Sequence, residues 1–238
     1  MYDLSKYEDG YTGDVIDSVN NVKAIITGQE AYTTGRNGFI GGKFMINDHK
    51  TSGNASTFTI PNRTSFTSYP FTVEMYSSIR MGYNVYKLDN ELEFKTDNIS
   101  NGSYNIWSTR EGGSSGNGIA FKLNKGTNLQ INGTLSSPLV DIAHDININN
   151  QLNPAIKYEH IVVCCDNNKQ KVYINGQLIS ETDKGSTSLN NSDRDLRFFD
   201  GNYFVKGDLK LVRVYNSVLT NDQVTQNYND ILNTIGGE

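Results

Sequence analysis

Two acidic residues placed two apart on a β-strand point to the same face, about 5 Å from each other. At that separation one carboxylate can attack a glycosidic carbon while the other supplies the proton. Glu181-Thr182-Asp183 has the spacing. No second Glu follows it, because Gly185 and Ser186 come next. The run also falls at the frayed end of an expected hairpin, where few groups could raise an acid's pKa. Glu91 and Glu93, in ELEF, share a strand face as well. Lys87 and Lys95 stand close by in sequence, so cross-strand ion pairs on a solvated face account for this cluster.

Other chemistries find less. His49, His144 and His160 are far apart in sequence, and no G-x-S-x-G supplies a serine nucleophile. Cys164 and Cys165 are adjacent on an expected strand, where neighbours point to opposite faces and a disulfide between them would be strained. They read as two free thiols acting as small hydrophobes. No Cys/His spacing suggests zinc. Asp89-Asn90, Asp193-Arg194-Asp195 and Asp200 with Asn202 are acid and amide clusters of the kind that form ordinary turns, although each has calcium-ligating atoms. No catalytic, cofactor-binding or metal-binding residue is assigned.

The elements that would position any of these groups are strands. Short apolar or alternating runs lie near 22–26, 39–46, 57–60, 70–80, 83–88, 91–95, 104–109, 117–123, 128–131, 156–165, 170–175, 177–181, 196–199, 203–206 and 208–216. Asn175-Gly176 joins two of them as a hairpin. Residues 136–154 read as a long irregular loop. One helix is expected, capped by Thr220 with Gln223 three residues on, and carrying Val224, Tyr228 and Ile231 on one stripe. In the strand before it, simple alternation puts Leu209, Leu211, Arg213 and Tyr215 on one face, and Lys210, Val212 and Val214 on the other. With no interleaved helices, a parallel α/β sheet is excluded. The fold class is all-β, a two-sheet antiparallel jelly-roll sandwich with a short C-terminal helix.

Several of these segments, taken in order, resemble the laminin-G-like, concanavalin-A-like jelly rolls. Lys171–Ser180 is similar to that family's "lYvNG" hairpin. Gly207, Leu209, Val212, Arg213, Val214, Tyr215, Asn216 and Leu219 match its closing signature, G-x-I-D-x-V-R-I-Y-N-x-x-L-S. Asp17-Ser18 with Asn20-Asn21 resembles the N-terminal D-x-S-G-N segment, and GFIGGKF (38–44) its G-x-x-G-x-F. Phe71-Thr72-Val73-Glu74 resembles "f-T-v-e", and Tyr158-Glu159-His160-Ile161-Val162 resembles "w-h-v-v" with Tyr for Trp.

The resemblance carries expectations. Hydrolases on this fold place their acids as E-x-D-x-E or E-x-D-x-x-E, a pattern Glu181-Thr182-Asp183 leaves incomplete. Many relatives bind calcium on the back of the sandwich through the Asp of the closing signature. Here Lys210 stands at that position, where an ammonium repels Ca²⁺ and can take its place. That site is therefore expected to be empty. His160 is expected to be structural and Trp107, the single tryptophan, to be core. Tyr83, Tyr86 and Tyr104 lie near turns and could stack on a sugar.

Size and charge bound the rest. A chain of 238 residues with no linker suits one domain over 1–238, with 1–35 as an N-terminal strand and docking segment. A net charge of −5 argues against nucleic acid, and no apolar run reaches membrane-spanning length. The first residues lack the apolar core of a secretory signal. An outside-facing fold with no visible export signal, rich in Asn and Gly turns, suggests a bacteriophage virion protein. The expected function is non-enzymatic: a capsid- or tail-associated jelly roll presenting a surface to host glycans or to other virion proteins, itself included. The alternatives are a carbohydrate-binding or adhesion module of a secreted protein, found outside the cell or at its surface, and a glycoside hydrolase.

Overall fold

The computed structural model describes residues 1–8, 11, 13–27, 37–39, 44–46, 57–61, 70–81, 83–86, 92–95, 103–109, 119–124, 128–132, 138–142, 158–183, 195–199 and 205–236. In chain order the strands are β1 (Tyr2–Asp3), β2 (Ile25–Thr27), β3 (Asn37–Phe39), β4 (Phe44–Ile46), β5 (Thr57–Ile60) and β6 (Phe71–Met81). Then come β7 (Tyr83–Tyr86), β8 (Leu92–Lys95), β9 (Ser103–Ser108), β10 (Ala120–Asn124), β11 (Asn128–Asn132) and β12 (Pro138–Ile142). The last are β13 (Glu159–Cys165), β14 (Lys169–Ile174), β15 (Gln177–Asp183), β16 (Leu196–Phe198) and β17 (Val205–Tyr215), followed by helix α1 (Asn221–Ile231).

These strands make two antiparallel sheets. The larger runs β15-β14-β13-β6-β17-β4-β3, with β1 also on β17; the other runs β12-β11-β10-β9-β16-β5-β2. β7 and β8 pair as a separate hairpin. Alternation drives the layering. Phe71, Val73 and Met75 of β6 enter the core between the sheets, where Phe44, Phe58, Trp107, Phe121 and Phe198 also lie. Trp107 is fully buried, 6.0 Å from Phe121 ring to ring.

The outer face of the larger sheet is covered as well. Val162, Cys164 and Tyr173 pack there against Leu219 and Val224, and Tyr76, Tyr158 and Leu211 pack against Ile231. This second layer explains why every residue of β13 is buried. It also separates the two free cysteines, Cys164 facing the helix side and Cys165 the core. The helix starts as its sequence predicts: Gln223 N donates to Thr220 Oγ1 at 3.2 Å, and Thr220 N to Gln223 Oε1 at 2.9 Å.

Four sequence expectations need correction. The run 39–46 is two paired strands, with Phe39 opposite Phe44; the segment between them carries Gly41-Gly42, a residue type that favours reversals. The supposed loop 136–154 contains β12, which pairs β11 although its pattern is short and opens on Pro138. Strands 203–206 and 208–216 are one strand. Gly207 does not break it, since its ladder with β6 runs on through Gly207 opposite Ile79; the Phe199 ring, 2.3 Å from where a Cβ would stand, is what calls for a glycine there. Simple alternation also fails at Lys210. The ladder between β17 and β6 slips between Leu209 and Leu211, so Leu209 joins the core with Val212 while Leu211 faces the helix. The slip has a visible setting: β4 occupies that edge of β17 up to Leu209, β1 takes over at Leu211, and Leu4 N bonds Lys210 O between them.

Candidate functional site

Among the polar groupings of the described structure, a sealed cluster under α1 and an open groove at one end of the sandwich are the candidates for function.

The sealed cluster forms because three neighbouring strands present polar residues on the face α1 covers. Arg213 of β17 lies opposite Glu74 of β6, and His160 of β13 is one pair along, opposite Tyr76. His160 Nε2 meets Glu74 Oε1 at 2.7 Å and Arg213 Nη1 meets it at 3.3 Å. The Tyr215 hydroxyl donates to Glu74 Oε2 at 2.6 Å, and Asn227 Nδ2 reaches the same oxygen from the helix at 3.1 Å. Glu74 and His160 are fully buried. Burial pushes the Glu74 carboxyl up, but the His160 bond, the Arg213 charge and the Tyr215 hydroxyl outweigh it and hold the group below its ordinary value. Tyr215 is pushed well above its ordinary value by burial and by the Glu74 charge. Because a carboxylate only accepts, His160 Nε2 carries the proton of that bond; Nδ1 has no partner. The ring stacks on Tyr228 at 5.7 Å and 13°. With both carboxylate oxygens bonded and the helix on top, no substrate atom reaches Glu74.

The groove, about 500 Å³, opens where β17 and β5 end. Tyr2, Asp17, Asn20, Pro61, Tyr215 and Asn216 line it, with Ile60 and Val214 among the apolar walls. Asp17 shapes one side. Its carboxylate accepts from Val19 N at 3.1 Å, from Asn20 N at 2.8 Å and from the Met1 amino group. Burial raises the Asp17 carboxyl, but these bonds outweigh it and leave it below its ordinary value. The groove therefore presents the exposed amides of Asn20 and Asn216 and the half-buried Tyr215, while the Asp17 carboxylate is buried and already bonded.

The family profile of the concanavalin A-like lectin/glucanases superfamily matches residues 90–225. The chain belongs to this superfamily. No curated protein matches the chain. Among solved structures, it is similar to one of botulinum neurotoxin type C, whose uptake into cells depends on interaction with two ganglioside molecules. The TM-score is 0.64 and the identity 14%, over 94% of this chain and 50% of that one. It is also similar to the binding domain of botulinum neurotoxin DC in complex with rat synaptotagmin II (TM-score 0.62, 14% identity, 94% and 50% covered). The same domain in complex with SialylT gives 0.63, at 14% identity over 91% and 48%. The chain spans about half the length of these structures, and at such identities the likeness shows the fold.

Within this lectin-type sandwich the sequence candidates scatter. Glu181 sits on edge strand β15, paired with Lys169 and, at 3.5 Å, with Lys171. The Lys169 hydrogen bond leads in holding its carboxyl below the ordinary value, the opposite of a poised acid. Lys210, which stands at the Asp position of the closing signature, is buried, with Nζ 4.2 Å from the Tyr158 ring centre. Asp208 lies beside it, accepting from the Tyr158 hydroxyl at 3.4 Å. The D-x-S-G-N resemblance marks the Asp17–Asn21 turn on the groove. His49, Asp89, Asn90, Glu91, His144, Asp193, Arg194, Asp200 and Asn202 lie outside the described residues, as do the side chains of Tyr83, Tyr86, Glu93 and Tyr104. Sequence reasoning quoted Glu74, Arg213 and Tyr215 as motif letters without seeing that they meet. It missed the groove, whose residues come from chain positions as distant as Asp17, Pro61 and Asn216.

Proposed function

We propose that this chain is a non-enzymatic recognition module that binds a saccharide in the groove at the end of its sandwich. One observation carries this: the acid–histidine cluster is sealed beneath α1, whereas the open cavity is a groove that shares only Tyr215 with it and has a single carboxylate, the buried and bonded Asp17, among its described lining residues. A retaining or inverting hydrolase needs two carboxyl groups flanking an open bond. The lectin superfamily fold and the ganglioside and sialyl ligands named for the structurally similar toxins support the same class of ligand. The setting we favour is a virion surface, for which the Asn- and Gly-rich turns of the sequence are the ground; electron microscopy of particles tests it directly.

A glycan array probed with the wild-type chain and with Asn216→Ala and Asn20→Ala tests the function. Binding to a defined set of saccharides that both variants weaken at least tenfold is expected. Release of reducing ends from a polysaccharide, or array binding untouched by both substitutions, overturns the proposal.

A further inference from the structure

The stretch of β17 that walls the groove, Val214 to Asn216, lies where the strand is losing its partners. Arg213, Val214 and Tyr215 pair with Glu74, Val73 and Thr72 of β6, and there the ladder ends. On the other edge β1 pairs only Leu211 and Val212.

Side chains take over from the ladder. Thr72 Oγ1 donates to Ser217 O at 2.7 Å. Two further ties end on Glu74, from Arg213 Nη1 to Oε1 and from the Tyr215 hydroxyl to Oε2. Arg213 also reaches the N-terminal wall. Its Nε lies 3.4 Å from Met1 Sδ, and the Met1 carbonyl accepts from Ser18 N at 3.0 Å, in the turn that carries Asn20. One buried carboxylate is thus tied to both walls of the groove.

The same carboxylate carries α1. Asn227 Nδ2 lies 3.1 Å from Glu74 Oε2 and 3.1 Å from the Tyr215 hydroxyl oxygen, so the phenol donates to the acid and accepts from the helix. No residue of α1 is among the described lining of the groove. Stability alone does not call for a carboxylate here, because packed apolar residues in place of a buried ion pair are often as stable or more so. What such a network adds is a single geometry, each member fixing the next.

We propose that Glu74 is a positioning residue for the groove and couples it to α1: the carboxylate sets the end of β17 while the helix amide is docked on it, and groove and helix tighten together. Where binding is concerned, this rests on the groove being a saccharide site. Coupling is reciprocal, so a saccharide in the groove favours the docked helix by the same factor by which docking favours the saccharide.

Amide NMR tests the coupling without a ligand; the glycan array and hydrogen exchange test its consequence. Glu74→Gln, Tyr215→Phe and Asn227→Ala are compared with Gly207→Ala, a destabilising change that touches none of these bonds. The first three are expected to shift the Asn216 and Ser217 amide resonances, and Gly207→Ala to leave them in place. Asn227→Ala, outside the groove, is expected to weaken array binding about fivefold or more, and Glu74→Gln more strongly still. The saccharide that the array selects is expected to slow amide exchange across α1 by a like factor. Asn216 and Ser217 resonances that ignore Tyr215→Phe and Asn227→Ala overturn the coupling, even where Glu74→Gln fails to fold or no arrayed saccharide binds. So do array binding that Asn227→Ala leaves intact, α1 exchange that the saccharide leaves unaltered, and equal effects from Gly207→Ala. The groove reading fails separately, when Asn216→Ala and Asn20→Ala leave array binding untouched.

Discussion

The Asn227 amide of α1 donates to Glu74 Oε2 at 3.1 Å, so a helix is pinned to the sheet through a carboxylate that neither element exposes. Every neighbour of that carboxylate is a donor. Glu74→Gln turns one acceptor into an NH₂ group facing donors and leaves Arg213 without its partner. Breaking a buried pair in this way costs roughly 3–5 kcal/mol. The pH dependence has a definite sign. Glu74 is held below its ordinary 4.5, so its stabilisation is complete above that value and disappears as pH falls through its lower folded value. Urea unfolding at neutral pH and in acid checks both: Glu74→Gln is expected to be less stable at neutral pH and to lose less on acidification. Parallel profiles for the two proteins would contradict this role.

Gly207 is the glycine of the closing signature, and its reason is a ring. The Phe199 ring, buried in the core, lies 2.3 Å from where a Cβ would stand. Gly207→Ala must displace an aromatic side chain from a packed core, an overpacking cost of about 1–3 kcal/mol or more. Gly207→Ala with Phe199→Leu is expected to recover part of that loss in thermal unfolding. Full additivity of the two substitutions would locate the glycine's role elsewhere.

Local signals in this sequence were legible and non-local ones were not. The Asn175-Gly176 hairpin and the Thr220 cap each depend on residues within a few positions, and both formed as read. Pairing partners distant in sequence set the rest. Alternation misplaced Leu209 because the bulge at Lys210 arises where β4 hands its edge of β17 to β1, and a two-residue strand such as β1 has no pattern to detect. Of the site, the Asp17 turn was visible as a motif. That it would meet Asn216 at the mouth of a groove depends on topology, which no spacing reports.

Lys210 makes a prediction about calcium. Its ammonium lies on the Tyr158 face at the Asp position of the closing signature, where a cation would be repelled, so millimolar Ca²⁺ or EDTA is expected to leave the melting temperature unchanged. A clear upward shift with Ca²⁺ would show a site that the ammonium does not block. Lys210→Met keeps most of the buried stem and removes the cation–π contact, at an expected cost of about 1–2 kcal/mol for a desolvated pair.

The last prediction separates backbone strain from contact at the turn that braces the helix. Gly176 has φ +78, a conformation costing an L-residue roughly 1–2 kcal/mol. A Cβ there would also stand 3.1 Å from Tyr228 Cδ1, and the Gly176 carbonyl accepts from Thr225 Oγ1 at 3.2 Å. Gly176→Ala is therefore expected to lower the unfolding free energy by at least the strain and to speed amide exchange in α1. A double-mutant cycle with Tyr228→Ala divides the effect. If the ring contact matters, Gly176→Ala costs less in the Tyr228→Ala background, and what remains is the strain of the turn. An equal cost in both backgrounds, with α1 exchange unaltered, would mean that the hairpin turn does not brace the helix.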